Sequence, residues 1–142
     1  MAVLITGAGT GFGFEVALRL AQQGLDVIAG VEIVAQVHAL EQEAKRRGVN
    51  LRIEKLDVTH AGDRLNAAEW DVDVLLNNAG ICEGGATVDI PAENLRRQYE
   101  VNVVGPLMLT QLIAKKMALK RKGKIVFMSS VAGLTSDPFA GA

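Results

Sequence analysis

The stretch VLITGAGTGFGFEVALRLA, residues 3–21, decides the fold of this chain. An apolar run at 3–5 predicts a strand, the glycines after it predict a turn, and the apolar residues at 14–21 have helical spacing. Glycines leave no Cβ between backbone N–H groups and a bound phosphate, and a helix N-terminus adds partial positive charge. The stretch therefore predicts a nucleotide-binding site.

The spacing of these glycines leaves the class of nucleotide open. The general dinucleotide pattern G-x-G-x-x-G fails from either Gly7 or Gly9, because its last position falls on a phenylalanine. No lysine follows, as the phosphate loop of NTPases would require. The pattern that fits is G-x-x-x-G-x-G at Gly7, Gly11 and Gly13. A G-x-G-x-G reading of 7–11 resembles the first loop of S-adenosylmethionine-dependent methyltransferases, and a plain strand-to-helix turn is the structural alternative.

Length and composition set the broad class. The 142 residues predict one domain, 1–142, and the 49% hydrophobic and 22% charged residues are ordinary for a soluble globular protein. The net charge of −1 gives no electrostatic basis for binding nucleic acid or an anionic membrane, so we expect neither partner.

The cysteine content and the start of the chain bear on location. Cys82 is the single cysteine, which rules out an internal disulfide and fits a reducing compartment. The first strand begins right behind Met1, so we expect no signal peptide, and no apolar run approaches the ~20 residues of a bilayer span. These features predict a cytoplasmic protein.

Strand and helix patterns alternate along the chain as βαβαβαβαβ. This order predicts a Rossmann-type α/β fold, a doubly wound parallel sheet in a three-layer α/β/α arrangement with strand order 3-2-1-4-5. Four further strands are expected at 27–31, 51–56, 72–76 and 125–128, the last of them buried. Their carboxyl ends carry Glu32, Asp57, Asn77, Asn78, Ser129 and Ser130. Because the carboxyl ends of parallel strands meet at one edge, these side chains should surround one crevice.

A long helix is expected from Pro91 to Lys122 and should end at Gly123. We expect one apolar seam along it, made of Leu95, Tyr99, Val103, Leu109, Leu112 and Ile113. Asn102 interrupts this surface and Gly105-Pro106 should bend the helix just after it. Asn is a poor residue for a helix interior, so it either satisfies freed backbone groups or serves the site.

Glu32 bears on the choice of cofactor. In dinucleotide folds an acid at the end of the second strand binds the adenosine ribose hydroxyls, whereas a basic residue accommodates a 2′-phosphate. The first lysine or arginine after Glu32 is Lys45. This favours NAD over NADP, with the alternative that Glu32 only begins the next helix. His38 and His60 have no partners at metal-ligand spacing, so no metal site is expected.

Four motifs together resemble the short-chain dehydrogenase/reductase family over the whole chain. They are Thr6-Gly7-x-x-x-Gly11-x-Gly13, Asn77-Asn78-Ala79-Gly80, Asn102 and Ser129-Ser130, in this order. The methyltransferase reading does not account for the Asn-Asn-Ala-Gly run. The resemblance implies an NAD- or NADP-dependent oxidoreductase acting on an alcohol or ketone, and a homo-oligomer, dimer or tetramer, that packs through the helix at 91–122.

The resemblance also implies residue roles. The pyrophosphate and the nearby ribose would be held by Gly7, Thr10, Gly11, Phe12 and Gly13. The adenine would lie between Asp57 and Val58, and the ribose side of the cofactor would be lined by Asn78, Ala79 and Gly80. In catalysis, Ser130 would hydrogen-bond the substrate oxygen, and the freed carbonyl of Asn102 would hold a water in a proton relay.

Two departures from the family pattern stand out. Val31 occupies the position that is usually acidic, with Glu32 one place later. The Tyr-x-x-x-Lys motif, which supplies the proton-transfer tyrosine and its pKa-lowering lysine, is absent, because the fourth residue after Tyr99 is Val103. The chain is therefore expected to be a portion of a longer enzyme, as the loop-like tail at 137–142 favours. The alternative is a truncated, non-catalytic module that binds a dinucleotide.

Overall fold

A five-stranded parallel sheet organises residues 1–135, the part of the chain that the computed structural model describes. Its strands are β1 (Ala2–Ile5), β2 (Asp26–Val31), β3 (Arg52–Lys55), β4 (Val74–Asn77) and β5 (Lys124–Phe127). They are hydrogen-bonded in the order β3-β2-β1-β4-β5, which confirms the predicted topology. The predicted loop at 137–142 lies outside the described residues.

The helices alternate with the strands as predicted. They are α1 (Gly11–Gln22), α2 (Ala35–Arg47), α3 (Ala61–Ala68), α4 (Ala92–Tyr99) and α5 (Gly105–Lys120). A π-helical turn at Glu100–Val104 joins α4 to α5, and a 3₁₀ turn at Val131–Gly133 follows β5. Across residues 1–135, every helix is too short or too polar to cross a bilayer.

The core lies on both faces of the sheet because side chains alternate along each strand. Val3 and Ile5 of β1 face a cluster that α1 and α2 cover, in which Leu18 and Leu40 are fully buried. Leu4, on the opposite face, belongs to a second cluster with α3 and α5. This two-sided burial explains why the central strands are continuous apolar runs rather than alternating ones.

The register of the sheet brings the carboxyl ends of the central strands together. Ile5 is aligned with Ala29 of β2 and with Leu76 of β4. The residues that follow these strands therefore meet at one edge of the sheet, which is where the predicted crevice should lie.

The prediction that the fifth strand is buried was wrong. Every residue of β5 is exposed, with Ile125 at 37%, Val126 at 39% and Phe127 at 53%. Among the described residues β5 is an edge strand, paired with β4 on one side only. An apolar strand is buried only where strands flank it on both sides and helices cover both faces, and within residues 1–135 β5 has a neighbouring strand on one side only.

The predicted apolar seam of the long helix is buried only in its second half. Leu109 and Ile113 are buried, but Leu95, Tyr99 and Val103 are exposed at 40%, 61% and 42%. The π-helical turn between the two halves adds a residue to one turn, which rotates the following apolar face by about 100°. The helix also ends earlier than expected, at Lys120, with Arg121 in the left-handed conformation at φ 52° instead of Gly123.

Candidate functional site

The glycine loop after β1 is locked to the end of β4. Thr6 is fully buried, and its hydroxyl oxygen accepts hydrogen bonds from the backbone N–H groups of Asn78 and Ala79, both at 3.0 Å. Gly7 has a φ of +64°, and a β-carbon on it would lie 2.7 Å from the Cα of Ala79. The two loops therefore approach so closely that only glycine fits at position 7.

The Asn78 side chain completes this junction. Its amide nitrogen donates to the carbonyl oxygen of Thr6 at 2.9 Å and to that of Gly7 at 3.3 Å. Gly13 is buried behind the loop, where a β-carbon would lie 2.5 Å from the Gly7 oxygen. Gly13 thus allows α1 to pack against the loop, and it does not line the cavity described next.

A cavity of about 250 Å³ opens at this edge of the sheet. The predicted cofactor residues that line it are Gly7, Thr10, Gly11, Phe12, Glu32, Asp57, Val58, Asn78, Ala79 and Gly80. The cavity therefore brings together residues that follow β1, β2, β3 and β4. Phe12 lies at its mouth with 81% of its surface exposed, which leaves an aromatic ring free to contact a ligand.

The segment after β3, which includes Asp57 and Val58, is held by its own hydrogen bonds and by the start of α3. The Asp57 carboxylate accepts from the N–H and hydroxyl of Thr59 at 2.8 and 2.7 Å, an Asx turn. The Asp57 N–H donates to Asp63 Oδ2 at 2.9 Å, and Arg64 donates to the Val58 carbonyl at 2.6 Å. These contacts place one wall of the cavity.

Asp63 is the anchor of that wall. Burial raises its pKa, but hydrogen bonds from the Lys55 ammonium, the Asp57 N–H and His60 outweigh burial and lower the pKa to about 2. The carboxylate is therefore charged at neutral pH and can hold its donors throughout the physiological range.

Sequence reasoning missed several residues of the site. Gln36, in the first turn of α2, lines the cavity beside Glu32 and lies against Gly9. The apolar residues Leu56, Ile81 and Val101 line other parts of the wall. Gln36 carries no motif, so only the bend between β2 and α2 reveals that it faces the glycine loop. Leu56 is the last residue of the strand predicted at 51–56, and Ile81 directly follows the Asn77–Gly80 run, so these positions were the available signal.

The two candidate catalytic residues lie outside the cavity wall. Asn102 sits in the π-helical turn, where its side chain accepts from the Ile81 N–H and donates to the Ile81 carbonyl, both at 2.8 Å. Ser130 is exposed and caps the 3₁₀ turn, accepting from the Ala132 N–H at 3.1 Å. The Asn102 side chain therefore pairs with the backbone of Ile81 and not with groups freed in its own helix, and the catalytic roles of both residues stay predictions.

Asn77 is the other amide at the end of β4, and it is buried. Its nitrogen donates to the Thr110 hydroxyl at 3.0 Å, which ties β4 to α5. Its Oδ1 has no hydrogen-bond partner within residues 1–135. An unpaired buried carbonyl is costly, so this position is suited to a bound water or a further donor.

The charges around the cavity define what it can bind. Glu32 and Asp57 are its ionisable lining residues, and no lysine or arginine of the described chain lines it. Backbone N–H groups at the start of α1 suit a phosphate, while carboxylates suit hydroxyl or amine donors. In residues 1–135, no group of three or more His, Cys, Asp or Glu side chains is arranged to hold a metal ion.

Known proteins of similar sequence or structure are described as oxidoreductases, reductases or dehydrogenases. The uncharacterized oxidoreductase YusZ of Bacillus subtilis is 33% identical over 142 aligned residues, which cover 95% of this chain and 50% of YusZ. A variant of actinorhodin polyketide ketoreductase with NADPH superposes with a TM-score of 0.90 at 29% identity, over 98% of this chain and 56% of that one.

A third similar protein is a 7α-hydroxysteroid dehydrogenase complexed with NADH and 7-oxo glycochenodeoxycholic acid. Its TM-score is 0.87 at 28% identity, over 99% of this chain and 58% of that one. The chain spans about half the length of the curated relatives it matches.

The family model described as short chain dehydrogenase matches residues 1–142. The glycine loop, its junction with Asn78 and Ala79, and the strand order agree with this match. The chain therefore belongs to the short-chain dehydrogenase family.

Proposed function

We propose that this chain is the cofactor-binding part of an NAD-dependent oxidoreductase, with NADP as the alternative cofactor. The reaction is hydride transfer between the nicotinamide and an alcohol or ketone. The observation that carries the proposal is the cavity between the glycine loop and the Asn78–Gly80 segment, with Glu32 at its rim. The similar structures were solved with NADPH in one case and NADH in another, which supports a nicotinamide cofactor of either kind.

In this proposal, different residues around the cavity bind different parts of the dinucleotide. The N–H groups of the glycine loop hold the pyrophosphate at the start of α1, because this backbone has no side chain in the way. Asp57 and Val58 border the adenine, and Glu32 accepts hydrogen bonds from the adenosine ribose. A bound nicotinamide supplies the hydride chemistry.

Two further residues belong to the chemical step in this proposal. Ser130 donates a hydrogen bond to the substrate oxygen, and the Asn102 backbone carbonyl holds a water that relays the proton. The 142 residues contain no Tyr-x-x-x-Lys. We expect the tyrosine and lysine of this motif, which efficient turnover requires, in a part of the protein outside these 142 residues.

The proposed binding function is tested by calorimetric titration of this chain with NAD, NADP and S-adenosylmethionine. We expect NAD to bind more tightly than NADP, and S-adenosylmethionine not to bind. Binding of S-adenosylmethionine alone would refute the proposal in favour of a methyltransferase.

The proposed catalysis needs a separate test. We expect the gene to encode a Tyr-x-x-x-Lys motif within about twenty codons after Ala142. The protein that contains it should reduce or oxidise a panel of secondary alcohols and ketones with NAD. Absence of the motif would refute the proposed catalysis and favour the alternative, a non-catalytic module that binds a dinucleotide.

The proposal also includes self-association through the helical segment at 91–122. An exposed apolar stripe supports it, in which Leu95, Tyr99, Val103 and Leu107 recur every fourth residue and are 40–61% exposed. The cytoplasmic location stays a prediction.

A further inference from the structure

We propose that Gln36 is a specificity-determining residue for the adenosine ribose: its Nε2 donates to a ribose hydroxyl beside Glu32, and its lack of charge leaves the repulsion between Glu32 and a 2′-phosphate uncompensated. This inference rests on the proposed dinucleotide function. Gln36 stands four residues after Glu32, and both line the same cavity with Gly9 and Thr10 of the glycine loop.

The position of the Gln36 side chain is defined by two contacts. A β-carbon built on Gly9 would overlap the Gln36 amide and lie 2.9 Å from its Cβ, so the side chain fills the space that Gly9 leaves open. The amide Oε1 accepts the N–H of Ile33 at 3.3 Å, in the bend between β2 and α2. The amide is thus held between the glycine loop and the end of β2.

This arrangement determines which atoms Gln36 can offer to a ligand. Because Oε1 accepts from Ile33, the N–H groups of Nε2 are the atoms available for an acceptor in the cavity. Glu32, whose carboxylate only accepts, provides the complementary chemistry. A hydroxyl is both donor and acceptor, so a ribose diol can use both side chains, whereas a phosphate can use only the amide.

The charges around the cavity also favour a free 2′-hydroxyl over a 2′-phosphate. A 2′-phosphate would bring negative charge next to Glu32, and within residues 1–135 the cavity wall contains no lysine or arginine to offset it. Gln36 is neutral, so its N–H groups can donate to either ligand but cannot offset the charge of Glu32. A cation at position 36 should reverse this balance, since it would lie beside the same ribose position.

The test compares Gln36→Lys with Gln42→Lys. Gln42 lies in the same helix, is exposed and does not line the cavity, so the control carries the same charge change away from the ligand. The probes are ADP-ribose and its 2′-phosphate, measured by calorimetry. We expect Gln36→Lys to lower the ratio of the dissociation constant of the 2′-phosphate to that of ADP-ribose about 10- to 100-fold, with no change for Gln42→Lys.

A second variant tests the hydrogen bond itself. Gln36→Met keeps the length of the side chain and removes both N–H donors. We expect its dissociation constant for ADP-ribose to rise about three- to tenfold, while the midpoint of thermal unfolding stays within about 2 °C of wild type. An unchanged dissociation constant would show that Gln36 donates no hydrogen bond to the ligand.

The outcomes separate the two proposals. If the wild-type chain binds neither ADP-ribose nor its 2′-phosphate, the dinucleotide function itself fails. If the wild type binds ADP-ribose but the two lysine variants share the same affinity ratio, only the role of Gln36 is refuted.

Discussion

Gly7 shows how one backbone position joins two loops. Its left-handed conformation and the 2.7 Å approach of a built β-carbon to Ala79 act together. A substitution there meets both torsional strain and a backbone clash, which a side-chain rotation cannot relieve.

We expect Gly7→Ala to lower the free energy of unfolding by about 1–3 kcal/mol and to weaken ADP-ribose binding about tenfold or more. Gly24→Ala is the matched control, because Gly24 also has a positive φ, +79°, but open space around it. Chemical denaturation and calorimetry measure the two effects. Loss of binding in both variants alike would contradict the role assigned to the clash with Ala79.

Asp63 connects protonation to the wall of the site. Its pKa in the folded state, about 2, lies below the ordinary value of 3.8. A depressed carboxyl pKa stabilises the folded state at pH values above about 4, and this stabilisation is lost as the pH falls toward 2.

We expect Asp63→Asn to lower the free energy of unfolding by about 1–2 kcal/mol at pH 6, with the difference from wild type shrinking toward zero near pH 2. The measurement is urea denaturation across this pH range. Asp89→Asn, at an exposed position, is the control and should change little. A difference that stays constant with pH would mean that the charge of Asp63 does not stabilise the fold.

At the scale of elements, the π-helical turn connects the long helix to the cavity. Pro106 has no N–H to donate to the carbonyl four residues earlier, that of Asn102, which helps to explain why the regular helix is interrupted here. The Asn102 side chain then pairs with both backbone groups of Ile81, which lines the cavity.

We expect Asn102→Ala to increase amide hydrogen exchange at Ile81 by about tenfold or more, because the Ile81 N–H loses its acceptor, the Asn102 Oδ1, and the Ile81 carbonyl loses its donor. Gln111→Ala, an exposed position of α5, is the control and should leave the exchange of Ile81 unchanged. Unaltered protection of Ile81 in Asn102→Ala would show that this segment is held by other contacts.

At the scale of the whole molecule, two segments each carry several exposed apolar residues. One is β5, and the other is the stripe along the helical segment at 91–122. The exposed stripe supports the proposed self-association, because large exposed apolar patches are characteristic of interaction sites.

We expect Leu107→Glu to reduce self-association of the chain, because it places a charge within the proposed apolar contact. Leu119→Glu is the control: Leu119 is 87% exposed in the same helix but lies about 18 Å along its axis from Leu107. Sedimentation velocity measures the mass of each variant. A wild-type chain that sediments as a monomer, or equal association of all three proteins, would contradict the proposed interface.

The sequence by itself determined the architecture and most of the cavity wall. Strand order and the position of the glycine loop follow from local periodicity and from the rule that parallel strands share one edge for their carboxyl ends. For that reason Gly7, Glu32, Asp57 and Asn78 could be assigned to one site without coordinates.

Only the tertiary structure decided the contacts between segments far apart in sequence. Gln36 packs on Gly9, and Asn102 pairs with Ile81, through bends whose angles no local pattern encodes. The exposure of Val126 in β5 and of Tyr99 in the helical stripe was equally beyond the pattern, since an apolar residue is buried only where another layer covers it. Periodicity reports which face is apolar, whereas the three-dimensional packing determines what meets that face.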